Sequence, residues 1–227
     1  LLLPNLDKPS RRQVYLSMND TISKLHNVNF EKINLSDYGK HENYMQRQIH
    51  RWTKQYKDSE TQEIPEMNEL INWLPQNIPL EQETSIVHGD FRLDNMIFDP
   101  ETHQVKAILD WELSTLGNPI ADFTYHMMSW RLPAAAKGLG MLGSDLKSLN
   151  IPSEDEYSAL YYKKTGRNKI ENWDFYMAYN IFRLAGIAQG IVGRVRDGTA
   201  SSSEAKDFEA FVPILGKIGW NLVSGIK

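Results

Sequence analysis

Ile86-Val87-His88-Gly89-Asp90-Phe91-Arg92-Leu93-Asp94-Asn95-Met96-Ile97-Phe98, followed twelve residues later by Asp110-Trp111-Glu112, is the stretch on which the reading of this chain turns. Ser85-Ile86-Val87 is short and β-prone, Met96-Ile97-Phe98 is a second such run, and Val105 to Leu109 is a third. Asp99-Pro100-Glu101-Thr102-His103 joins the last two with residues that favour turns. The pattern predicts a strand, a polar loop and a small hairpin, with an acid where the hairpin ends.

Helical patterns flank this segment on both sides. Val14, Met18, Ile22 and Leu25 recur at helical spacing, which predicts a helix capped by Ser10 and running to about His26. A second helix is predicted from His41 to Lys57. A third opens on Pro65, takes its apolar contacts from Leu70, Ile71 and Leu74, and stops at Pro75. Beyond Asn118-Pro119 the chain reads as helices near 119–131, 153–165, 172–196 and 203–224. The segment 172–196 is apolar on most faces, and its Gly186 and Gly190 would admit another helix closely. The fold class is α+β, mainly helical, with no internal repeat.

The bulk numbers narrow the function classes. With 25 basic and 29 acidic residues among 227, the chain carries a formal charge of -4, so no overall positive field draws nucleic acid or anionic lipid. No nucleic-acid or membrane partner is expected. The absence of cysteine excludes disulfides, thiolate metal sites and cysteine nucleophiles, and agrees with a cytoplasmic location. Ile181 to Val192 is the longest nearly apolar run, but it spans only 12 residues and contains Arg183 and Gln189. A membrane helix needs ~20. Leu1-Leu2-Leu3-Pro4 lacks the basic flank and apolar core of a signal peptide.

The residue types in the central stretch suit phosphoryl transfer from ATP. That reaction needs a carboxylate to orient or deprotonate the acceptor hydroxyl, and oxygen ligands that hold Mg²⁺ against the phosphates. Protein kinases use an H-R-D-x-x-x-x-N loop, and His88-Gly89-Asp90 followed by Asn95 repeats its Asp-to-Asn spacing. The stretch closely resembles the aminoglycoside phosphotransferase and choline kinase-like family, whose catalytic lobe carries H-G-D-x-x-x-x-N and a downstream Asp-Trp pair. The resemblance implies a protein-kinase-like C-terminal lobe whose small β-hairpin carries the catalytic and metal-binding loops. It makes Asp90 the catalytic base and Asn95 and Asp110 the Mg²⁺ ligands. It also has Asp122, in Gly117-Asn118-Pro119-Ile120-Ala121-Asp122, anchor the loop through backbone hydrogen bonds, and it makes His88 a packed residue that shapes the turn. His88-Gly-Asp-Phe-Arg-Leu-Asp-Asn-Met-Ile-Phe-Asp-Pro, Leu109-Asp-Trp-Glu-Leu-Ser-Thr-Leu-Gly-Asn-Pro and Phe182-Arg-Leu-Ala-Gly-Ile-Ala-Gln-Gly further resemble the kinase-like domain fused to some acyl-CoA dehydrogenases. For that branch the implied acceptor is a hydroxylated acyl group on CoA.

Arg92, two residues after Asp90, is expected to stabilise charge on the γ-phosphoryl group, because a guanidinium binds phosphate oxygens in a fork. Asp94 reads as a brace for the loop and Asp99 as a turn former; Glu112 reads either as reaching metal or as binding backbone. Arg183, Arg194 and Arg196 read two ways, as receivers of a phosphorylated or CoA-bearing substrate or as cations favoured at a helix C-terminus. Trp111, Trp130, Trp173 and Trp220 read as packing residues.

The resemblance places the nucleotide clamp in an N-terminal lobe, and nothing before Ser10 reads as one. Residues 1–227 are therefore expected to form the catalytic, acceptor-binding lobe, completed upstream by a β-rich segment of about 80 to 110 residues with a strand lysine. Gly138-Leu-Gly140-Met-Leu-Gly143 formally matches G-x-G-x-x-G, but it follows no predicted strand and reads as a loop. The expected activity is ATP- and Mg²⁺-dependent transfer to a small-molecule hydroxyl. The alternatives are a non-catalytic binding module derived from a kinase lobe and, more remotely, a metal-dependent hydrolase, whose usual histidine ligands are not clustered here.

Overall fold

A computed structural model describes residues 3–80, 83–134, 140–198 and 205–225. They fall into two compact units. The first comprises residues 1–41 and 83–171, the second residues 42–82 and 172–227.

The first unit contains every β-strand of the described residues. Helix α1 (Lys8–His26) begins one turn earlier than Ser10 suggests, because Asp7 is the cap: its carboxylate accepts the Ser10 N–H at 2.8 Å. Pro9 fits the first turn, where a missing N–H costs nothing. Strand β1 (Ser85–Val87) is buried throughout, β2 (Met96–Phe98) and β3 (Val105–Ile108) form the expected antiparallel hairpin, and β4 (Thr115–Gly117) pairs with β1. β4 was not expected; three residues ending in glycine carry almost no local strand signal, and only the long-range partner makes them one. The hairpin has an irregular step between Ile97 and Phe98. Its far end is moored to α1, where the Ser17 hydroxyl accepts the Val105 N–H at 2.7 Å.

Helix α4 (Pro119–Met127) is buried along its whole length and starts at Asn118, whose side-chain oxygen accepts the N–H groups of Ile120 and Ala121. A single-turn helix α5 (Leu146–Leu149), too short to leave a periodic signature, precedes α6 (Glu154–Thr165). Helix α6 packs on α1, where Tyr15 meets Tyr157 edge-on, and meets α4 through Phe123, which stacks on Tyr161 with centroids 3.8 Å apart. Of the G-x-G-x-x-G match, residues 138 and 139 lie outside the described residues. Gly140 lies against backbone carbonyls, a Cβ there falling 2.2 Å from the Leu132 oxygen. Carbonyls repel phosphate, in keeping with a loop.

The second unit holds α2 (Tyr44–Ser59), α3 (Pro65–Trp73), α7 (Trp173–Arg196) and α8 (Ala205–Val223). Helix α2 starts three residues later than its composition suggests, after Asn43 in the left-handed region at φ 55°. Helix α7 is buried over most of its length, and α2 and α8 pack on it. Its small residues face α2: a Cβ on Gly186 would lie 3.5 Å from the Trp52 carbonyl oxygen, and one on Gly193 only 2.7 Å from the Ser59 Cβ. Among the described residues no helix is long and apolar enough to cross a membrane.

Candidate active site

The loop after β1 is built around one glycine. Gly89 adopts φ 83°, a conformation that L side chains avoid, and a Cβ there would meet the Leu113 carbonyl oxygen at 2.6 Å. His88, fully buried, locks the turn from inside. Its Nδ1 accepts the Asp90 N–H at 3.2 Å, which puts the ring proton on Nε2, and Nε2 donates to the Leu109 carbonyl at 2.9 Å. Phe91 is also fully buried and packs edge-on against His126. Between these two anchors Asp90 stays partly exposed.

Both oxygens of the Asp90 carboxylate have donors. Asn95 Nδ2 donates to Oδ2 at 2.9 Å and also to the Asp90 carbonyl at 2.9 Å, while the Tyr125 hydroxyl donates to Oδ1 at 2.7 Å. The spacing of Asp90 and Asn95 thus closes a five-residue loop on itself. Tyr125 was missed in the sequence, because nothing in a buried helical tyrosine marks it as a neighbour of Asp90 35 positions earlier.

Asp122 lies beneath the loop, buried with its carboxylate accepting the N–H groups of His88 at 2.8 Å and Gly89 at 2.9 Å. His26 Nε2 donates to the same carboxylate at 3.1 Å, and the Tyr161 hydroxyl donates to His26 Nδ1 at 2.8 Å. Burial alone would push the Asp122 carboxyl up, but the His26 hydrogen bond and the two backbone donors outweigh it and hold the group below the usual carboxylate range. His26 is pushed down, chiefly by burial against the pull of Asp122, so the pair is a neutral imidazole and a carboxylate. His26 and Tyr161 carry no motif and were not expected.

Asn95 and Asp110 stand at the open end of the hairpin. Met96 pairs with Ile108, and the Leu109 N–H bonds the Asn95 carbonyl at 2.8 Å, so Asp110 follows one residue beyond Asn95's neighbour. Asp110 is exposed and takes φ 65°, uncommon for a residue with a side chain and most often tolerated by Asn and Asp. The donor set, an amide oxygen and one carboxylate, fits Mg²⁺, which is usually held by one or two carboxylates together with substrate phosphates. No group of three or more His, Asp or Glu side chains suited to a metal occurs among the described residues.

Arg92 forms an exposed ion pair with Asp94, two residues along the same loop. Burial pushes the Arg92 guanidinium down, and Asp94, with Tyr125 and Asp90 further off, more than reverses this. Glu112 is exposed. Trp111 differs from the packing role expected of it: its indole covers His88 at 4.9 Å, yet it remains 40% exposed. Beside it, Ile97 and Leu109 are exposed at 49% and 43% on the outer face of the hairpin. Arg183, Arg194 and Arg196 all lie on α7 in the helical unit. Arg183 is buried over the Trp52 ring, and Arg196 pairs with Asp197 while donating to the Glu60 carbonyl at 3.1 Å, as a cation at a helix end does.

Residues 2–157 match the phosphotransferase enzyme family. The chain is 42% identical over 223 residues to acyl-CoA dehydrogenase family member 10 of Mus musculus and 37% identical over 224 residues to family member 11 of Homo sapiens. In both cases 98% of this chain is aligned, but it spans only 21% and 29% of those proteins. A crystal structure of a Ralstonia eutropha protein assigned as an aminoglycoside phosphotransferase superposes with a TM-score of 0.93 at 50% identity, over 99% of this chain and 68% of that one. Spectinomycin phosphotransferase, in complex with ADP and spectinomycin, shares the fold at 12% identity with a TM-score of 0.57, over 96% of this chain and 66% of that one. The chain belongs to the phosphotransferase enzyme family, and its fold is the protein-kinase-like one of the aminoglycoside phosphotransferases.

Proposed function

We propose that this chain is the acceptor-side lobe of an ATP- and Mg²⁺-dependent kinase that phosphorylates a small-molecule hydroxyl, with Asp90 as catalytic base. The observation that carries this is the Asp90 carboxylate, partly exposed yet held at both oxygens by Asn95 and Tyr125. A carboxylate fixed in this way can take a hydrogen bond from an acceptor hydroxyl on a remaining lone pair. The acceptor oxygen attacks the γ-phosphorus, its proton passes to Asp90, and the bond to ADP breaks. Asn95 Oδ1 and the Asp110 carboxylate would hold Mg²⁺, which supplies charge neutralisation on the phosphates. Arg92, tethered by Asp94 in reach of Asp90's field, adds positive charge where the transferred group sits.

Ile97 and Ala107 are directly opposite each other in the hairpin, and Leu109, two residues beyond Ala107, continues the same side. This apolar face adjoins the proposed metal ligands and suits a nucleobase, a contact absent from the sequence-based expectations. The rest of the nucleotide clamp belongs in this proposal to a lobe preceding Leu1. The acyl-CoA dehydrogenase names of the relatives favour a hydroxyacyl-CoA as acceptor over an antibiotic.

The test is transfer from Mg-ATP to a hydroxyacyl-CoA and, separately, to an aminoglycoside, using the full-length protein that carries this chain. Asp90→Asn should abolish transfer while leaving the unfolding midpoint unchanged. Retention of wild-type turnover in that variant would overturn Asp90 as the base, and absence of transfer in the unchanged protein would leave the binding-module alternative standing.

A further inference from the structure

We infer that Tyr125 is a positioning residue for phosphoryl transfer, fixing the Asp90 carboxylate through the oxygen that Asn95 does not hold. The inference rests on Asp90 being the base.

Asp122 and Tyr125 are three residues apart and so share a face of α4. From that face Asp122 grips the backbone of the loop at His88 and Gly89, and Tyr125 grips the side chain that the loop presents. Asn118 fixes where the helix starts, and burial along its whole length fixes where it lies. One rigid element therefore sets both the position of the Asp90 backbone and the direction of its carboxylate.

An aspartate turns about two side-chain bonds, and one donor restrains a single oxygen while leaving rotation about it. Asn95 on Oδ2 and Tyr125 on Oδ1 together define the plane. Each oxygen keeps a lone pair for an incoming hydroxyl. Tyr125 is only 5% exposed, so its ring cannot swing away freely, and the 2.7 Å contact is that of a strong O–H···O⁻ bond. Misplacement of a reacting group by about 1 Å costs on the order of 10²-fold in rate.

Tyr125→Phe keeps the ring and removes only the donor. With Mg-ATP and a hydroxyacyl-CoA as probes, and with water as the acceptor in a parallel hydrolysis assay, the full-length variant should lose about 10- to 100-fold in kcat. Its KM for ATP should stay within about twofold, and it should remain fully folded at the assay temperature, its midpoint falling only by the loss of one hydrogen bond. Full kcat in Tyr125→Phe alongside an inactive Asp90→Asn would overturn the positioning role alone. Activity in Asp90→Asn would overturn the assignment of the base beneath it. A Tyr125→Phe protein partly unfolded at the assay temperature and with kcat and KM both impaired would show that the hydroxyl serves packing, and would overturn the inference as well.

Discussion

Asp122 holds Gly89 by a carboxylate oxygen 2.9 Å from the glycine N–H, and its other oxygen takes the N–H of His88. Removing this carboxylate leaves two buried backbone donors and the His26 ring without their acceptor. Each unsatisfied buried group costs about 1 to 3 kcal/mol. Asp122→Ala should therefore lose roughly 3 kcal/mol or more in urea unfolding and lose phosphoryl transfer with it. Asp90→Asn, in contrast, should separate the two, because Asp90 is partly exposed and an asparagine there still offers an amide oxygen to the Tyr125 hydroxyl.

The small-residue face of α7 gives a paired prediction within the helical unit. At Gly193 an added Cβ falls 2.7 Å from the Ser59 Cβ and 3.2 Å from its Cα, so backbone must move. Gly193→Ala should destabilise by about 1 to 3 kcal/mol. At Gly186 the nearest atom is at 3.5 Å, an ordinary contact, and alanine gains helix propensity. Gly186→Ala should leave the denaturation midpoint unchanged or raise it.

Burial pushes His126 down to about 4, against a weak opposing pull from Asp122, and its Nε2 lies 2.8 Å from the Tyr157 hydroxyl. The folded form thus binds fewer protons than the unfolded chain between that value and the ordinary 6.5. The resulting stability is complete above pH 6.5 and is lost as pH falls towards 4, a loss of about 3 kcal/mol at most. His126→Gln should flatten part of the pH dependence of unfolding in this window. His26, shifted in the same direction, should leave a residual slope.

Arg92 is tested through its tether. Arg92→Ala should lower kcat/KM for Mg-ATP by about 10²- to 10³-fold, on the scale of one charge-stabilising donor. Asp94→Ala, which frees the guanidinium but keeps its charge, should cost less. Equal turnover in Arg92→Ala and the unchanged protein would remove Arg92 from the mechanism.

The fold was legible where local chemistry repeats or punctuates. Pro65 opened α3, the apolar repeat of Val14, Met18 and Ile22 gave α1, and Asp99-Pro100 gave the hairpin turn. What escaped was made by partners far along the chain. Thr115–Gly117 is a strand because Ser85–Val87 pairs with it, and Ser10 yielded the α1 cap to Asp7 because its backbone N–H, and not its hydroxyl, makes the bond. At the site, Asp90, Asn95 and Asp110 stood out through motif order. Tyr125, His26 and Tyr161 did not, since they act through contacts that only the packing of α1, α4 and α6 brings about.

The β2–β3 hairpin separates what must be held from what can drift. Asn95 and Asp110 sit at its open end, fixed by the ladder and by the Leu109 bond to Asn95, while the turn from Asp99 to His103 closes the other end beyond the irregular step at Ile97 and Phe98. Ser17 clamps Val105 between the two. A longer or shorter turn between Asp99 and His103 should therefore be absorbed outside the clamp, leaving the spacing of Asn95 and Asp110 unchanged.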